Sequence, residues 1–279
     1  MYSWDIKEDK NLKKMHFIPG TKFLLANIFH STRLIPRRGS ICKQCQLCHS
    51  SRVLNNEGKV TFENLLSEEN KRRLQNKLQN NLNEKSVIRK ETVSDNHKKA
   101  AVLVPLCTVN GQPSLLFMVR SNLIPTHRGE VSFPGGMMDD TDQDLIETAL
   151  RETQEEIGLN IAREDVWGSL QSLPSRQDGK NLVTPIIASV GELEKHKLNL
   201  NKAEVENVFT RTVSSLCDSK NVGSTQFRRG KLPSLQSGYT LPVFLGGEHR
   251  IWGLTAVVLH MFLPVLAPGL YKFKLRHRH

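Results

Sequence analysis

"FPGGMMDDTDQDLIETALRETQEEIGLN", residues 133–160, gathers eight carboxylates in a chain whose formal net charge is +11. A Pro-Gly-Gly turn opens the stretch. Beyond it Leu145, Ala149, Leu150 and Ile157 recur at helical spacing, and Gly158 stands where a helix C-cap needs a left-handed residue. On such a helix Glu152, Glu155 and Glu156 are three and four residues apart, so their carboxylates leave from one face. A solvated helix would alternate these acids with Lys at i+4, whereas here the neighbouring cation is Arg151. Crowded carboxylates of this kind suit a hard divalent cation, which takes oxygen ligands and keeps positions for water and phosphate oxygens. A plain solvated acidic face is the competing reading, and the flanking glycines and Arg151 weigh against it.

The surrounding sequence predicts what this helix packs on. Residues 100–120, "AAVLVPLCTVNGQPSLLFMVR", place two apolar runs about Asn110-Gly111, which predicts a hairpin with strands at about 100–108 and 114–120. "GEVSFPGG" (129–136) reads as a short strand, and "VWGSLQSL" (166–173) and "LVTPIIASVGEL" (182–193) as further ones. A terminal helix is expected from Ile251 to Val265. Between Val60 and about Lys90, the spacing of Phe62, Leu65, Leu66, Leu74, Leu78 and Leu82 predicts an amphipathic helix, with Ser67 as its cap and Glu68 and Glu69 in its first turn. Strands interleaved with helices indicate a mixed α/β or α+β domain with helices packed on a sheet.

With 279 residues the chain can hold one sizeable domain with extensions, or two small ones. Its basic excess is local. Lys10 to Asn56 holds nine Lys or Arg and no acid, whereas residues 57–279 carry 29 basic and 25 acidic residues. Without a basic stripe on the folded part, nucleic acid is not an expected partner. The segment from Met15, "MHFIPGTKFLLANIFHSTRLIPRRGS", mixes apolar, basic and hydroxyl residues as a mitochondrial presequence does, although Asp5, Glu8 and Asp9 precede it. A disordered basic tail is the alternative. No stretch reads as a membrane span; "WGLTAVVLHMFLPVLAPG" (252–269) is broken by His260, Pro264 and Pro268 and reads as a buried helix. Cys42, Cys45, Cys48 and His49 supply soft ligands without the second pair that a structural zinc site draws from another arm. "CQLCH" also matches a haem attachment pattern, but these thiols read more simply as part of the leader.

Gly136, Asp142, Arg151, Glu152, Glu155, Glu156 and Gly158 resemble the box of the Nudix hydrolases, Gly-x5-Glu-x7-Arg-Glu-U-x-Glu-Glu-x-Gly-U. Asp142 takes the place of a Glu, eight residues rather than seven separate it from Arg151, and Thr153 fills an aliphatic position. In these departures the stretch resembles the coenzyme A diphosphatase branch. That branch's upstream signature is matched by Arg120, Ser121, Gly129 and Phe133 to Gly136, with Met118 replacing its Thr and Pro125 its second Arg. The resemblance runs over about residues 93–265.

The resemblance implies a Nudix fold, a mixed sheet sandwiched between helices. It divides the chain into a basic arm (1–58), a helical leader and linker (59–92), the hydrolase domain (93–240), and a strand, helix and basic tail (241–279). It implies Mg²⁺ or Mn²⁺ held by Glu152, Glu155 and Glu156 with help from the Gly135 carbonyl. Arg151, Glu152 and Glu155 are implied as catalytic, with Glu155 the first choice of general base and Glu204 or Glu206 as alternatives. Arg120, His127, Arg128 and Gly136 are candidate contacts to a small-molecule substrate, coenzyme A or acyl-coenzyme A. Cleavage would yield 3′,5′-ADP and (acyl-)4′-phosphopantetheine, in the mitochondrion. Hydrolysis of NADH, of other nucleoside diphosphate derivatives or of capped RNA is the alternative within the family. A non-catalytic binding module is a second one, disfavoured by the intact box acids. Oligomeric state is left open.

Overall fold

The computed structural model describes residues 60–89, 98–175, 181–227 and 239–275. The basic arm, its Cys42, Cys45 and Cys48, and most of the polar linker lie outside these residues. Everything described belongs to one compact unit, Gly58–His279.

In chain order the elements are α1 (Glu68–Arg89), β1 (Lys98–Val109), β2 (Gln112–Arg120), β3 (Val131–Ser132), β4 (Gly135–Met137), α2 (Leu145–Ile157), β5 (Val166–Ser169), β6 (Leu173–Pro174), β7 (Asn181–Glu192), β8 (Val205–Thr212), α3 (Val213–Cys217), β9 (Val222–Phe227), β10 (Tyr239–Phe244) and α4 (Gly253–Leu266). The main sheet runs β3-β2-β1-β7-β5; β4 also pairs with β1, β6 with β7 and β8 with β2. The β1–β7 pair is parallel and the others are antiparallel, so the sheet is mixed as expected. A separate ribbon joins β9 and β10.

The predicted hairpin forms, and its strands extend past the expected ends to a two-residue turn. Asn110 and Gly111 both have positive φ, 51° and 73°, the conformation that lets a hairpin follow the twist of its strands. The run 129–136, read as one strand, is two: β3 pairs with β2, and after Phe133-Pro134 β4 crosses to β1. Proline cannot donate to a ladder, which is why the strand changes partner there. Residues 166–173 likewise divide into β5 and β6.

One face of the sheet is covered by α2. Ala149, with Leu145, Ile146 and Leu150, packs on Ala101, Leu103, Ile186 and Ala188, while Ile157 meets Cys107, Leu116, Met118, Val205 and Val208. Side chains alternate along a strand, so Phe117 points to the opposite face, where it stacks on Phe133 and Phe209 at 5.0 and 5.4 Å. Thr255, early in α4, donates to the Val131 carbonyl at 3.0 Å and ties the terminal helix to β3.

α1 starts at Glu68, directly after its expected cap, with Ser67 accepting from the Asn70 N–H at 3.3 Å. It docks on the domain. Leu74 and Leu78 are buried, and Leu78 lies against Gly168 of β5, where an added Cβ would stand 3.0 Å from the leucine Cδ1. Arg73 donates to the Val265 and Leu266 carbonyls at 2.8 and 3.0 Å, satisfying the open end of α4. Leu82 lies outside the residues whose side chains are described. Removing a fully buried leucine costs about 2–5 kcal/mol. Leu78→Ala is therefore expected to lower stability by that amount in urea unfolding while leaving kcat unchanged well below the melting temperature; unaltered stability would show that α1 is not part of the folded unit.

Candidate active site

The acidic helix is fixed at both ends by its own sequence. Asp144 accepts from the N–H groups of Ile146 and Glu147, each at 3.0 Å, and its carboxylate also pairs with Arg163. Gly158 takes φ 69° and donates to the Gln154 carbonyl. The last carbonyls are met by another segment, with Asn201 N–H on Glu156 O at 2.9 Å and Asn199 N–H on Ile157 O at 3.1 Å. The buried Thr153 returns its hydroxyl to the Ala149 carbonyl at 2.6 Å, so a polar residue is satisfied where the motif has an aliphatic one.

Arg151 organises the box. It grips Asp142 by two parallel bonds of 2.9 Å, from Nε to Oδ1 and from Nη2 to Oδ2. Nη1 reaches Glu152 Oε1 at 3.2 Å and Glu155 Oε2 at 3.1 Å, and Nη2 also reaches the Met137 carbonyl at 3.2 Å. Asp142 is buried and also accepts from Asp139 N–H and Thr148 Oγ1, both at 2.9 Å. The guanidinium, then these hydrogen bonds, hold its carboxyl well below the usual carboxylate range in spite of burial. The Asp that replaces the motif Glu is thus an anchor for Arg151.

Glu156 is in the opposite situation. It is 2% exposed and accepts the Gly135 N–H at 2.8 Å; the nearest cation is Arg120, 3.9 Å away. Burial outweighs both and pushes the carboxyl up to about 8, with Glu152 and Glu204 adding repulsion. Burial also raises Glu152, against Arg151. Gly135, at φ 145° and pressed on the Ala101 carbonyl, leaves no room for a side chain, and a Cβ on Gly136 would overlap the Glu152 carboxylate. The two glycines let β4 lie directly beneath the carboxylates.

The structure brings Gly135, Gly136, Arg151, Glu152, Glu155, Glu156 and Arg120 together. His127 and Arg128 are turned to their own loop: His127, at φ 56°, pairs with Glu130 at 2.8 Å, and Arg128 donates to the Ile124 carbonyl. Glu204 adjoins the group, its backbone carbonyl accepting from Ser121 N–H at 2.8 Å and its charge felt by Glu152 and Glu156, while Glu206 is exposed on β8. The 199–201 segment that caps α2 and leads to Glu204 went unread in the sequence, where its signal is the pair Asn199 and Asn201.

The donor set fits a hard divalent cation. Glu156 and Glu152 lie on the Gly135–Gly136 backbone, Glu155 joins Glu152 through Arg151, and the charge of Glu204 is felt by both inner acids; the most buried, Glu156, has no cation within hydrogen-bonding distance. Among the described residues no three His, Cys, Asp or Glu side chains converge as a ready-made cage. Arg151 occupies one oxygen of Glu152 and one of Glu155, which leaves the other oxygen of each carboxylate for a cation.

The model of the NUDIX domain matches residues 97–226. The chain is 51% identical over 174 residues to the mitochondrial coenzyme A diphosphatase NUDT8 of Mus musculus, covering 62% of this chain and 80% of that protein. The protein of that name from Homo sapiens is 49% identical, with 63% and 72% covered. Nudix hydrolase 3 of Caenorhabditis elegans is 40% identical, with 65% and 79% covered.

Replacing Asp142 by Asn would leave Arg151 without its bidentate partner. Because the guanidinium is partly exposed, the loss at neutral pH is expected near the low end for broken buried pairs, about 3 kcal/mol. Asp142 is depressed, so its contribution is complete above the ordinary carboxylate pKa near 4 and fades as pH falls through its own lower value. Urea unfolding of the two proteins should therefore show a stability gap that narrows below about pH 4; a gap that does not depend on pH would contradict the pairing.

Proposed function

The chain belongs to the Nudix hydrolases, and we propose that its substrate is coenzyme A or an acyl-coenzyme A, cleaved at the diphosphate by water to 3′,5′-ADP and (acyl-)4′-phosphopantetheine. The observation that carries the substrate is the 51% and 49% identity, over 174 and 177 residues, to two proteins named as coenzyme A diphosphatases. The reaction is supported by the cradle of Glu152, Glu155 and Glu156 around Gly135. One oxygen of water is added to one phosphorus, the bridging P–O bond breaks, and the bridging oxygen leaves on the other phosphate.

Glu152, Glu155 and Glu156, with the Gly135 carbonyl, would hold Mg²⁺ or Mn²⁺; when bound, the ion supplies charge neutralisation to the diphosphate and acidity to water. The remaining roles fall to the chain itself. Arg151 fixes the orientation of Glu152 and Glu155 by charge-assisted bonds. Glu155, 57% exposed at its side chain and held by a single arginine nitrogen, is free to face solvent and take a proton from water, with Glu204 as the nearby alternative. Arg120 keeps a buried Nε without a hydrogen-bond partner beside Glu156, a donor that a phosphate oxygen would satisfy. His127 and Arg128, on an exposed loop next to Arg120, could meet the 3′-phosphate by leaving their present partners. Localisation in the mitochondrion rests on the acid-free basic segment Lys10 to Asn56 and on the names of the relatives.

Mass spectrometry of products from coenzyme A, NADH and capped RNA, each with Mg²⁺ or Mn²⁺, tests the reading. Coenzyme A is expected to give 3′,5′-ADP with kcat/KM at least about tenfold above the other two, a margin that contacts to the distinguishing phosphate can supply. Preferential cleavage of NADH or capped RNA, or no release of 3′,5′-ADP, would refute it.

A further inference from the structure

Arg211 takes no part in the hydrolytic site. On β8 it stands opposite Leu115 of β2, whereas Arg120 is five residues further along β2, about 17 Å away at strand spacing. It is 5% exposed. Nη2 donates to the neutral Ser215 Oγ at 2.9 Å, and Nη1 is buried with no hydrogen-bond partner. Among the described residues no carboxylate offsets the charge; burial acts on the group and pulls its pKa below the ordinary guanidinium value. A guanidinium stays charged at any physiological pH, so withdrawing it from water without a counter-charge is strongly unfavourable.

What covers Arg211 is a loop with little to cover it with. Residues 245–250 join β10 to α4, and Gly246 and Gly247 are exposed. Gly247 lies on the arginine, since an added Cβ would be 2.9 Å from its Cδ and 3.2 Å from Nη1. Two residues on, the His249 ring lies 4.9 Å from Phe209, the neighbour of Arg211 on the same face of β8. His249 Nε2 is also buried without a hydrogen bond, 3.5 Å from the carboxylate of Glu248, whose side chain is 66% exposed. Asn221 steadies this wall by donating to Ser215 O and Oγ at 3.0 and 3.3 Å, and its carbonyl accepts from Leu245 N–H at 2.7 Å.

We infer that Arg211, beneath the Gly246–Gly247 loop and with His249 beside it, binds a small oxyanion of the phosphate type at a site separate from the hydrolytic one. A guanidinium offers N–H groups that match such an anion, and its Nη1 is unmet here. Only exposed glycine backbone, with no side chain of its own, lies between the guanidinium and solvent. The site does not depend on which diphosphate the enzyme cleaves.

Calorimetric titration of the metal-free full chain with inorganic phosphate, in a zwitterionic buffer without chloride, tests this. Saturable 1:1 binding is expected, weakened about tenfold or more by Arg211→Leu, less by His249→Ala, and kept in Arg120→Leu, which alters the hydrolytic site instead. Phosphate should also raise the melting temperature of the wild type and not of Arg211→Leu, whereas without phosphate the variant melts no lower than the wild type. Should Arg211→Leu not fold, Arg211→Gln keeps a donor for Ser215 and removes the charge. Absent binding, binding unchanged by loss of Arg211, or binding lost with Arg120 would overturn the inference.

Discussion

A single arginine shared among three carboxylates is the constraint from which the site is built. Arg151 joins Asp142, Glu152, Glu155 and the Met137 carbonyl, so it clamps the start of the box, the strand β4 and the exposed side of α2 in one network. Asp142 gives the clamp a buried, strongly acidic foot. With α2 held against β4 in this way, Glu156 is forced inward onto the Gly135 N–H. The acids of one helix thus fall into two classes. Glu152 and Glu155 keep Arg151 as a counter-charge, and Glu156 on the inner side is left with a hydrogen bond and a distant Arg120, so burial decides its protonation.

The rest of the fold supplies the platform. β4 leans on β1 through Ala100–Val102, and the parallel pairing of β1 with β7 carries the apolar floor under α2. β8 enters the same sheet beside β2, bringing Glu204 to the acidic end and Arg211 to the far end of one strand. Charge is therefore placed at both ends of β8, acidic near the box and basic at Arg211.

Much of this was legible in the sequence, for local reasons. Asn110-Gly111 fixes its hairpin, Gly158 fixes the end of α2, and the i, i+3, i+4 spacing fixes which acids share a face. What was not legible depended on tertiary pairing. β8 carries "VENVFTRT", whose buried residues Val205, Val208, Phe209 and Arg211 do not alternate, because a bulge near Val205 and burial on both faces break the period of two. The strand change at Phe133-Pro134 is invisible until β1 is in place. His127 and Arg128 have the right charge for a phosphate, but Glu130 and the Ile124 carbonyl claim them locally. Asp142 was read as a marker of a longer box, and its role as the anchor of Arg151 emerges only from the distances.

The proposed cation site depends most on Glu156, whose buried carboxyl would have to give up its proton to bind a divalent cation. Calorimetric titration of the metal-free protein with Mn²⁺ at pH 7, in buffers of different ionisation enthalpy, measures it directly. With the carboxyl near 8, the account predicts release of roughly one proton per Mn²⁺ bound, and weaker binding with no release in Glu156→Gln. Equal affinity of the two proteins, without proton release from the wild type, would contradict it.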